Sequence, residues 1–216
     1  MDAIELAIRH RLTPEMSALD VGANRGTYSM LMASVCRRVI AFEPQPDRAE
    51  ELSRRAPSNL KVERLAVSNR SGTARFFIDT RPGMIGMASS LMELDDLQAT
   101  GEFREVEVET VTLDEYCKAN NVRPDLIKIE VEGWEPNVLE GGVTLIETVR
   151  PSLLFEFWES HYRRLAPWFD RLSETHFLVR AEDGEPAREW YAKHSGTGTT
   201  DILAIPRGPA VPAART

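Results

Sequence analysis

Residues 18–29 read Ala18-Leu19-Asp20-Val21-Gly22-Ala23-Asn24-Arg25-Gly26-Thr27-Tyr28-Ser29. A short apolar run ends in a turn with two glycines four residues apart, and an apolar pattern of helical period follows. A strand that breaks sharply into a helix N-terminus brings backbone N–H groups towards a bound cofactor. Glycine suits such a turn because it has no Cβ and tolerates a positive φ. The stretch therefore predicts the strand, turn and helix of a nucleotide-binding α/β fold.

The spacing of the glycines bears on the identity of the cofactor. A dinucleotide fingerprint has glycines at offsets of zero, two and five, whereas here Asn24 stands between Gly22 and Gly26. Asp20, beside the turn, suits a cation better than a pyrophosphate. S-adenosylmethionine (SAM) carries an ammonium and a sulfonium group and fits this requirement. An ordinary tight turn between a strand and a helix would have the same pattern.

A second signal follows in Arg38-Val39-Ile40-Ala41-Phe42-Glu43-Pro44, which reads as a buried strand closed by an acid and a proline. Glu43 lies 23 residues after Asp20, close to the interval at which nucleotide-binding folds place a carboxylate on the ribose. A carboxylate can accept hydrogen bonds from both the 2′- and 3′-hydroxyl groups. We therefore expect Glu43 to bind ribose; the alternative is a solvated glutamate at a strand end.

With these two motifs the chain resembles the FkbM family of SAM-dependent methyltransferases over about residues 17–160. Further motifs that carry the resemblance are Ala66-Val67-Ser68, Ser89-Ser90-Leu91, Val111-Thr112-Leu113-Asp114 and Ile127-Lys128-Ile129-Glu130-Val131-Glu132-Gly133 with Glu135. The resemblance implies a Rossmann-like class I methyltransferase with SAM as cofactor. The family usually has aspartate where this chain has Glu130.

The positions in these motifs assign most of the expected cofactor site. The residues expected to bind SAM are Asp20, Gly22, Ala23, Asn24, Gly26, Tyr28, Ser29, Glu43, Pro44, Ala66, Val67, Ser68 and Glu130. Acceptor-binding residues are expected at Ser90, Glu156 and Trp158.

Apolar runs of strand length alternate with helical patterns, which predicts βαβ units and a parallel sheet. Strands are expected near 17–22, 38–43, 61–67, 125–131 and 151–157, and helices near 2–11, 26–36, 46–56, 112–121, 134–147 and 161–174. A terminal antiparallel hairpin, 176–181 with 200–205, would complete a mostly parallel seven-stranded sheet. Residues 73–110 interrupt the rhythm as an inserted loop and hairpin, with residues 81–101 as a lid or, alternatively, a floppy surface insertion.

Composition limits the classes of partner. The chain has 216 residues and a net charge of −8, which argues against a nucleic-acid partner because such partners call for a basic face. We expect one domain over residues 1–206, with a disordered tail over residues 207–216. The start of the chain does not have the layout of a signal peptide, and no apolar run is long enough to span a bilayer, which favours a cytoplasmic location. The patterns do not indicate an oligomeric state.

The strand near 125–131 is expected to lie beside the strand that carries Asp20. Alternation would place Lys128, Glu130 and Glu132 on one side of it, where three charges are costly unless they are paired or functional. Glu130 and Glu132 are therefore candidate general bases, and Lys128 would pair with one of them or steady a developing alkoxide. The same residues could instead only orient the loop.

Two further expectations concern the chemistry at this site. His161 is an alternative base, although a lone histidine is more often structural. No metal ion is expected, since Lys128 already supplies positive charge among the acids.

These patterns predict a SAM-dependent O-methyltransferase that acts on a hydroxyl group of a small molecule or glycan. The resemblance points to sugar, polyketide or lipid-linked acceptors. Two alternatives stay open: a non-catalytic SAM-binding partner protein and an NAD-dependent oxidoreductase, the latter disfavoured by the missing middle glycine.

Overall fold

The computed structural model describes residues 3–80, 90–91, 103–158, 162–193 and 199–208. The helices are α1 (Ala3–Arg9), α2 (Thr27–Ala33), α3 (Pro46–Arg55), α4 (Leu113–Ala119), α5 (Glu135–Glu140), α6 (Val143–Val149), α7 (Tyr162–Thr175) and α8 (Ala187–Lys193). The strands are β1 (Ser17–Val21), β2 (Arg38–Phe42), β3 (Leu60–Glu63), β4 (Ala66–Val67), β5 (Gly72–Asp79), β6 (Phe103–Val111), β7 (Leu126–Ile129), β8 (Ser152–Trp158), β9 (His176–Arg180) and β10 (Thr199–Pro206).

Seven strands form the main sheet in the order β3-β2-β1-β7-β8-β10-β9. All pairs from β3 to β8 are parallel, and β10 runs antiparallel to both β8 and β9. The predicted α/β class, the seven-stranded sheet and the antiparallel terminal hairpin are confirmed. The strand order reverses between β1 and β7, which places a crevice at the carboxyl ends of these two strands.

Helices cover both faces of the main sheet because its strands are apolar on both sides. In β2, Val39 and Ala41 pack in the same core as Ile8 of α1 and Met32 of α2. Ile40 and Phe42 instead join the core that contains residues of α4, α5, α6, α7 and α8. The period of two along the strand thus divides the interior into two cores.

The inserted hairpin is confirmed as a second sheet of three strands in the order β4-β6-β5. β5 and β6 pair antiparallel, and the two-residue β4 pairs parallel with β6. The single strand predicted near 61–67 is wrong in one respect: β3 stays in the main sheet, while β4 leaves it for the small one. Residues 81–89 and 92–101, which make up most of the predicted lid, lie outside the described residues.

The helix predicted over 134–147 is two helices, α5 and α6, separated by Gly141 and Gly142. A Cβ at Gly141 would lie 2.0 Å from the carbonyl oxygen of Ser68, so only glycine fits there. The Asp114 carboxylate accepts hydrogen bonds from the N–H groups of Thr144 at 3.0 Å and Leu145 at 2.7 Å, and so satisfies the start of the second helix. Helix α8 was not predicted.

Among the described residues, no helix is long and apolar enough to cross a membrane. The predicted tail lies outside the described residues after Gly208.

Candidate active site

The carboxyl ends of β1, β2 and β7 border a cavity of about 420 Å³, here called the main cavity. Its volume lies within the range of about 300–1,000 Å³ that is typical of small-molecule sites. Residues from the turns after these three strands line it, together with residues from the small sheet. It occupies the position at which open α/β sheets bind their ligands.

The turn after β1 is built to bring two strand ends together. Gly22 has a φ of 81°, and a Cβ there would lie 1.9 Å from the carbonyl oxygen of Glu130. The N–H groups of Gly22 and Ala23 both donate to the carbonyl of Phe42 at 3.0 Å, and that of Asn24 donates to the Glu43 carboxylate at 2.7 Å. These three N–H groups therefore hold the fold together, contrary to the expectation that they face a cofactor.

Glu43 lies in the wall of the main cavity and is 5% exposed. Its two carboxylate oxygens accept hydrogen bonds from the N–H groups of Asn24 at 2.7 Å and Gln45 at 2.8 Å. Burial raises the pKa of Glu43 to about 7, although both hydrogen bonds and the nearby Arg48 act in the opposite direction. A carboxylate has about four lone-pair positions, so each oxygen can still accept a hydrogen bond from a ligand.

Lys128 joins two carboxylates at the carboxyl end of β7. Its Nζ lies 3.3 Å from Oδ1 of Asp20, its direct neighbour in the register of β1 and β7, and 2.9 Å from Oε2 of Glu130. Burial alone would lower the pKa of Lys128, but the two carboxylates outweigh it and raise that pKa above its ordinary value. Lys128 is thus a fixed cation, and its ammonium group also lies 5.0 Å from the centre of the Tyr28 ring.

Asp20 is fully buried, and the side chain of Ser29 donates to its Oδ2 at 2.5 Å. Asp20 and Lys128 carry opposite charges, so Glu130 leaves this group of three with a net negative charge. The Glu130 side chain is 36% exposed and lines the main cavity. The negative charge therefore faces the cavity at Glu130 and not at Asp20.

The turn after β7 places Glu132 in a left-handed conformation with a φ of 54°. The strand predicted near 125–131 ends at Ile129, so of the three charges predicted to alternate along it only Lys128 lies within β7. Glu130 follows the strand directly, and Glu132 lies in the turn. Two contacts fix the turn: Glu135 accepts from the N–H of Val131 at 2.9 Å, and the Ser90 hydroxyl lies 3.1 Å from the carbonyls of Val131 and Glu132. Such a strained conformation in a braced turn is typical of functional sites.

The carboxyl group of Glu132 lines the main cavity and faces other acids. Burial, followed by the charges of Glu156 and Glu130, raises the pKa of Glu132 to about 8, and Lys128 acts in the opposite direction. No described residue donates a hydrogen bond to this carboxyl group. A carboxyl with a pKa near the working pH is suited to proton transfer.

Sequence reasoning missed Asp201 as a member of this acidic group. β10 pairs antiparallel with β8, and the register sets Asp201 directly opposite Glu156. Burial and then the charges of Glu156, Glu182 and Glu130 raise the pKa of Asp201 to about 7. The paired residues are 45 positions apart in the chain, so no local sequence motif predicts that they meet.

The structure brings most of the predicted site residues to the main cavity. Those that line it are Gly22, Ala23, Asn24, Tyr28, Glu43, Pro44, Ala66, Val67, Lys128, Glu130 and Glu132. Those that do not line it are Asp20, Gly26, Ser29, Ser68 and Ser90. The last five support the wall instead; for example, a Cβ at Gly26 would lie 2.1 Å from Cδ1 of Leu52 on α3.

The side chains of two predicted site residues are not described. His161 lies outside the described residues, and Trp158 belongs to β8 but its side chain is not described. Glu156 is half-buried and acts electrostatically on both Glu132 and Asp201. In the described part of the chain, no cluster of three or more His, Cys, Asp or Glu side chains is arranged to hold a metal ion.

Comparison with known proteins identifies the family to which the sequence is similar. Residues 20–185 match the family model described as the methyltransferase FkbM domain. The chain is 31% identical over 134 residues to the hexuronic acid methyltransferase AglP of Haloferax volcanii, an alignment that covers 60% of this chain and 51% of that protein. The chain thus spans about half the length of this curated relative.

Solved structures agree on the fold. The structure of the methyltransferase FkbM from Methylobacillus flagellatus KT aligns with a TM-score of 0.59 at 16% identity, covering 90% of this chain and 44% of that one. A Streptococcus mutans protein described as a methyltransferase in complex with SAH aligns with a TM-score of 0.52 at 9% identity, covering 96% and 99% of the two chains. At these identities the likeness concerns the class I methyltransferase fold alone.

Proposed function

The chain belongs to the FkbM family of methyltransferases, and we propose that it uses SAM to methylate a hydroxyl group of a sugar-containing acceptor. The observation that carries the proposal is the main cavity, where the carboxylate of Glu43 and the Asp20–Lys128–Glu130 group lie at the carboxyl ends of adjoining strands. The sugar acceptor is supported by the relative that methylates a hexuronic acid.

Glu43 would hold the ribose. Its oxygens keep free lone pairs beside the hydrogen bonds from Asn24 and Gln45. Pro44, Ala66 and Val67 line the same cavity and would give an apolar surface to the adenine ring. The hydrogen bonds from the backbone N–H groups of Asn24 and Gln45 hold the Glu43 carboxylate in place before the ligand arrives, so little ordering is needed on binding.

Glu130 would face the positive charges of the cofactor. When bound, SAM supplies an electrophilic methyl group on a sulfonium that is already an activated leaving group. The net negative charge of the Asp20–Lys128–Glu130 group favours a cation at this wall. Lys128 cannot act as a base, because the two carboxylates keep it protonated.

Glu132 would remove the proton of the acceptor hydroxyl. Its pKa of about 8 makes it a stronger base than an ordinary glutamate, and burial, followed by the charges of Glu156 and Glu130, maintains that pKa. The chain would otherwise contribute mainly alignment of the acceptor oxygen, which accounts for about 7–11 kcal/mol in well-oriented reactions. We propose no metal ion, since Lys128 supplies the positive charge among these acids.

The same geometry disfavours a dinucleotide cofactor. A pyrophosphate needs free backbone N–H groups in the turn after β1, but those of Gly22, Ala23 and Asn24 donate to the protein itself. NADH should therefore bind poorly to the main cavity.

Calorimetry with SAM, with its product SAH and with NADH tests the cofactor assignment. We expect SAM and SAH to bind and NADH not to bind at millimolar concentration. Transfer of labelled methyl groups from SAM to uronic acid-containing glycans then tests the reaction, with and without a chelator. Binding of SAM without transfer to any glycan would favour a non-catalytic SAM-binding protein, and failure of SAM to bind would overturn the proposal.

A further inference from the structure

A second depression of about 490 Å³ adjoins the main cavity and is here called the arginine groove. It is lined by the segment after β4, by the start of β5 and by residues from α5 and its N-terminal turn. Trp134 and Leu91 line both depressions, so the two share a wall. Among the described residues predicted to belong to the site, only Ser68 lines the groove.

The charge of the arginine groove is opposite to that of the chain as a whole. The chain has 34 acidic and 26 basic residues, yet the described lining of the groove includes Arg70 and Arg75 and no carboxylate. Glu140 and Glu115 touch Asn69 and Ser71 at its edge but do not line it. A basic surface on an acidic protein is expected to attract an anion.

Arg75 lies in the groove and keeps contacts within the protein, among them one with the Phe77 ring, whose centre is 5.8 Å from Cζ. Its Nη1 lies 3.9 Å from Oε2 of Glu105, and both side chains are more than half exposed. Exposed ion pairs of this kind contribute about 0–1 kcal/mol, so an incoming carboxylate or phosphate can replace the contact. Arg70 is exposed in the same groove.

The remaining groups suit a carbohydrate ring. The lining includes amide and hydroxyl side chains, among them those of Asn137 and Thr73, and such side chains can bind sugar hydroxyls. The indole of Trp134 is held in position because its Nε1 donates to Ser68 at 3.0 Å. The guanidinium of Arg164 lies 5.6 Å from the centre of this ring and donates to Asn137, which adds a third cation beside the groove.

We infer that the arginine groove binds an anionic carbohydrate, that is, a hydroxyl-rich ring that carries a carboxylate or a phosphate. Arg70 and Arg75 bind the anionic group, which guanidinium groups recognise with paired hydrogen bonds. The amide and hydroxyl side chains bind the ring next to Trp134. Because Trp134 and Leu91 also border the main cavity, the ligand of the groove is part of the methyl acceptor; this last step alone rests on the proposed function.

The test titrates the full chain with four probes and no cofactor: glucuronic acid, glucose 1-phosphate, glucose and inorganic phosphate. The variants are the double substitution Arg70→Gln with Arg75→Gln and, as a matched control, Arg123→Gln. Arg123 is exposed and precedes β7, at the end of the sheet opposite the main cavity. The affinity of every variant for SAH is measured in parallel.

We expect glucuronic acid or glucose 1-phosphate to bind at least tenfold more tightly than glucose, and the double variant to lose about tenfold, the scale of a charge-assisted hydrogen bond. The control should retain wild-type affinity, and SAH should bind equally to all variants. Whichever of the two anionic sugars binds identifies the anionic group as a carboxylate or a phosphate.

Any of four results would overturn the inference. Glucose binds as tightly as the anionic sugars, free phosphate binds as tightly as glucose 1-phosphate, the double variant keeps its affinity, or no probe binds. Failure of SAH to bind to the wild type would instead overturn the proposed function, while probe binding that depends on the arginines would still support the groove.

Discussion

The acids near the carboxyl ends of β1, β2 and β7 fall into two groups that differ in what surrounds them. Glu43 accepts two backbone hydrogen bonds, and Asp20 and Glu130 share the cation of Lys128. The pKa of Glu132 and the pKa of Asp201 are instead raised, in each case first by burial and then by the charge of Glu156. Burial raises the pKa of Glu43 as well, but its two hydrogen bonds oppose that rise and fix the carboxylate for a ligand, whereas neighbouring acids add to the rise at Glu132. These acids thus form a binding side, with Asp20, Glu43 and Glu130, and a proton-transfer side, with Glu132 and its neighbours Glu156 and Asp201.

Replacing Glu132 by glutamine should have the largest effect, because it removes the base and keeps the size of the side chain. We expect kcat to fall by about 10²–10⁴-fold, the usual contribution of a general base, with SAH affinity nearly unchanged. The rate of the wild type should rise with pH up to about 8, as Glu132 loses its proton, and the variant should lack this rise. Glu15→Gln, an exposed position before β1, is the control. A loss of kcat below tenfold would assign the base elsewhere.

Replacing Lys128 by methionine should remove the cation that the binding side depends on. Asp20 would then be buried without its ion-pair partner, and breaking a buried pair in this way costs about 3–5 kcal/mol. Urea denaturation should show this loss, whereas Lys118→Met, an exposed lysine on α4, should change stability by less than about 0.5 kcal/mol. Adding Asp20→Asn to the Lys128 variant should restore part of the loss. A cost below about 1 kcal/mol in the single variant would show that the pair is not held as described.

Replacing Glu43 by alanine should weaken SAH binding and leave the proton-transfer side intact. The expected loss is about 1–3 kcal/mol, the scale for leaving buried polar partners unpaired, and calorimetry measures it directly. Glu50→Ala on the exposed face of α3 serves as the control, since its side chain is 74% exposed. Unchanged affinity in the Glu43 variant would remove this residue from the site.

The binding side could be predicted from the sequence because its residues follow local rules. Glu43 closes an apolar strand, Gly22 ends another, and both strands are parallel neighbours. Their positions at the same edge follow from the βαβ pattern alone. What the motif could not reveal is that the N–H groups of the turn are used by the protein, because the carbonyl of Phe42 that accepts two of them lies on another strand.

The proton-transfer side was only partly predictable. Glu130 and Glu132 come from one strand end, but Asp201 arrives through an antiparallel pairing with a distant segment. The turn at Glu132 also depends on Ser90, which the inserted segment brings to the carbonyls of Val131 and Glu132. Long-range pairings and side-chain braces of this kind have no periodic pattern in the sequence.

Replacing Asp201 by asparagine should have the smallest effect on catalysis, and it tests whether burial and the neighbouring acids hold the Asp201 carboxyl protonated. The pKa of Asp201 is raised from its ordinary value of 3.8 to about 7 in the folded protein. Its contribution to stability is therefore fully present below about pH 3.8 and is lost as the pH rises through 7, because the unfolded chain releases the proton first. Asparagine cannot ionise, so the variant should gain up to about 4 kcal/mol over the wild type at pH 8 relative to the difference at pH 4, the linkage value of such a shift.

Denaturant unfolding at the two pH values measures this change, with Asp47→Asn as the control because the Asp47 side chain is 81% exposed. The same variant should lower the apparent pKa in the rate profile if the charge of Asp201 reaches Glu132 through their shared neighbour Glu156. An equal stability difference at pH 4 and pH 8 would mean that the Asp201 carboxyl is not held protonated by its surroundings. The contrast between the two sides of the cavity would then rest on Glu132 alone.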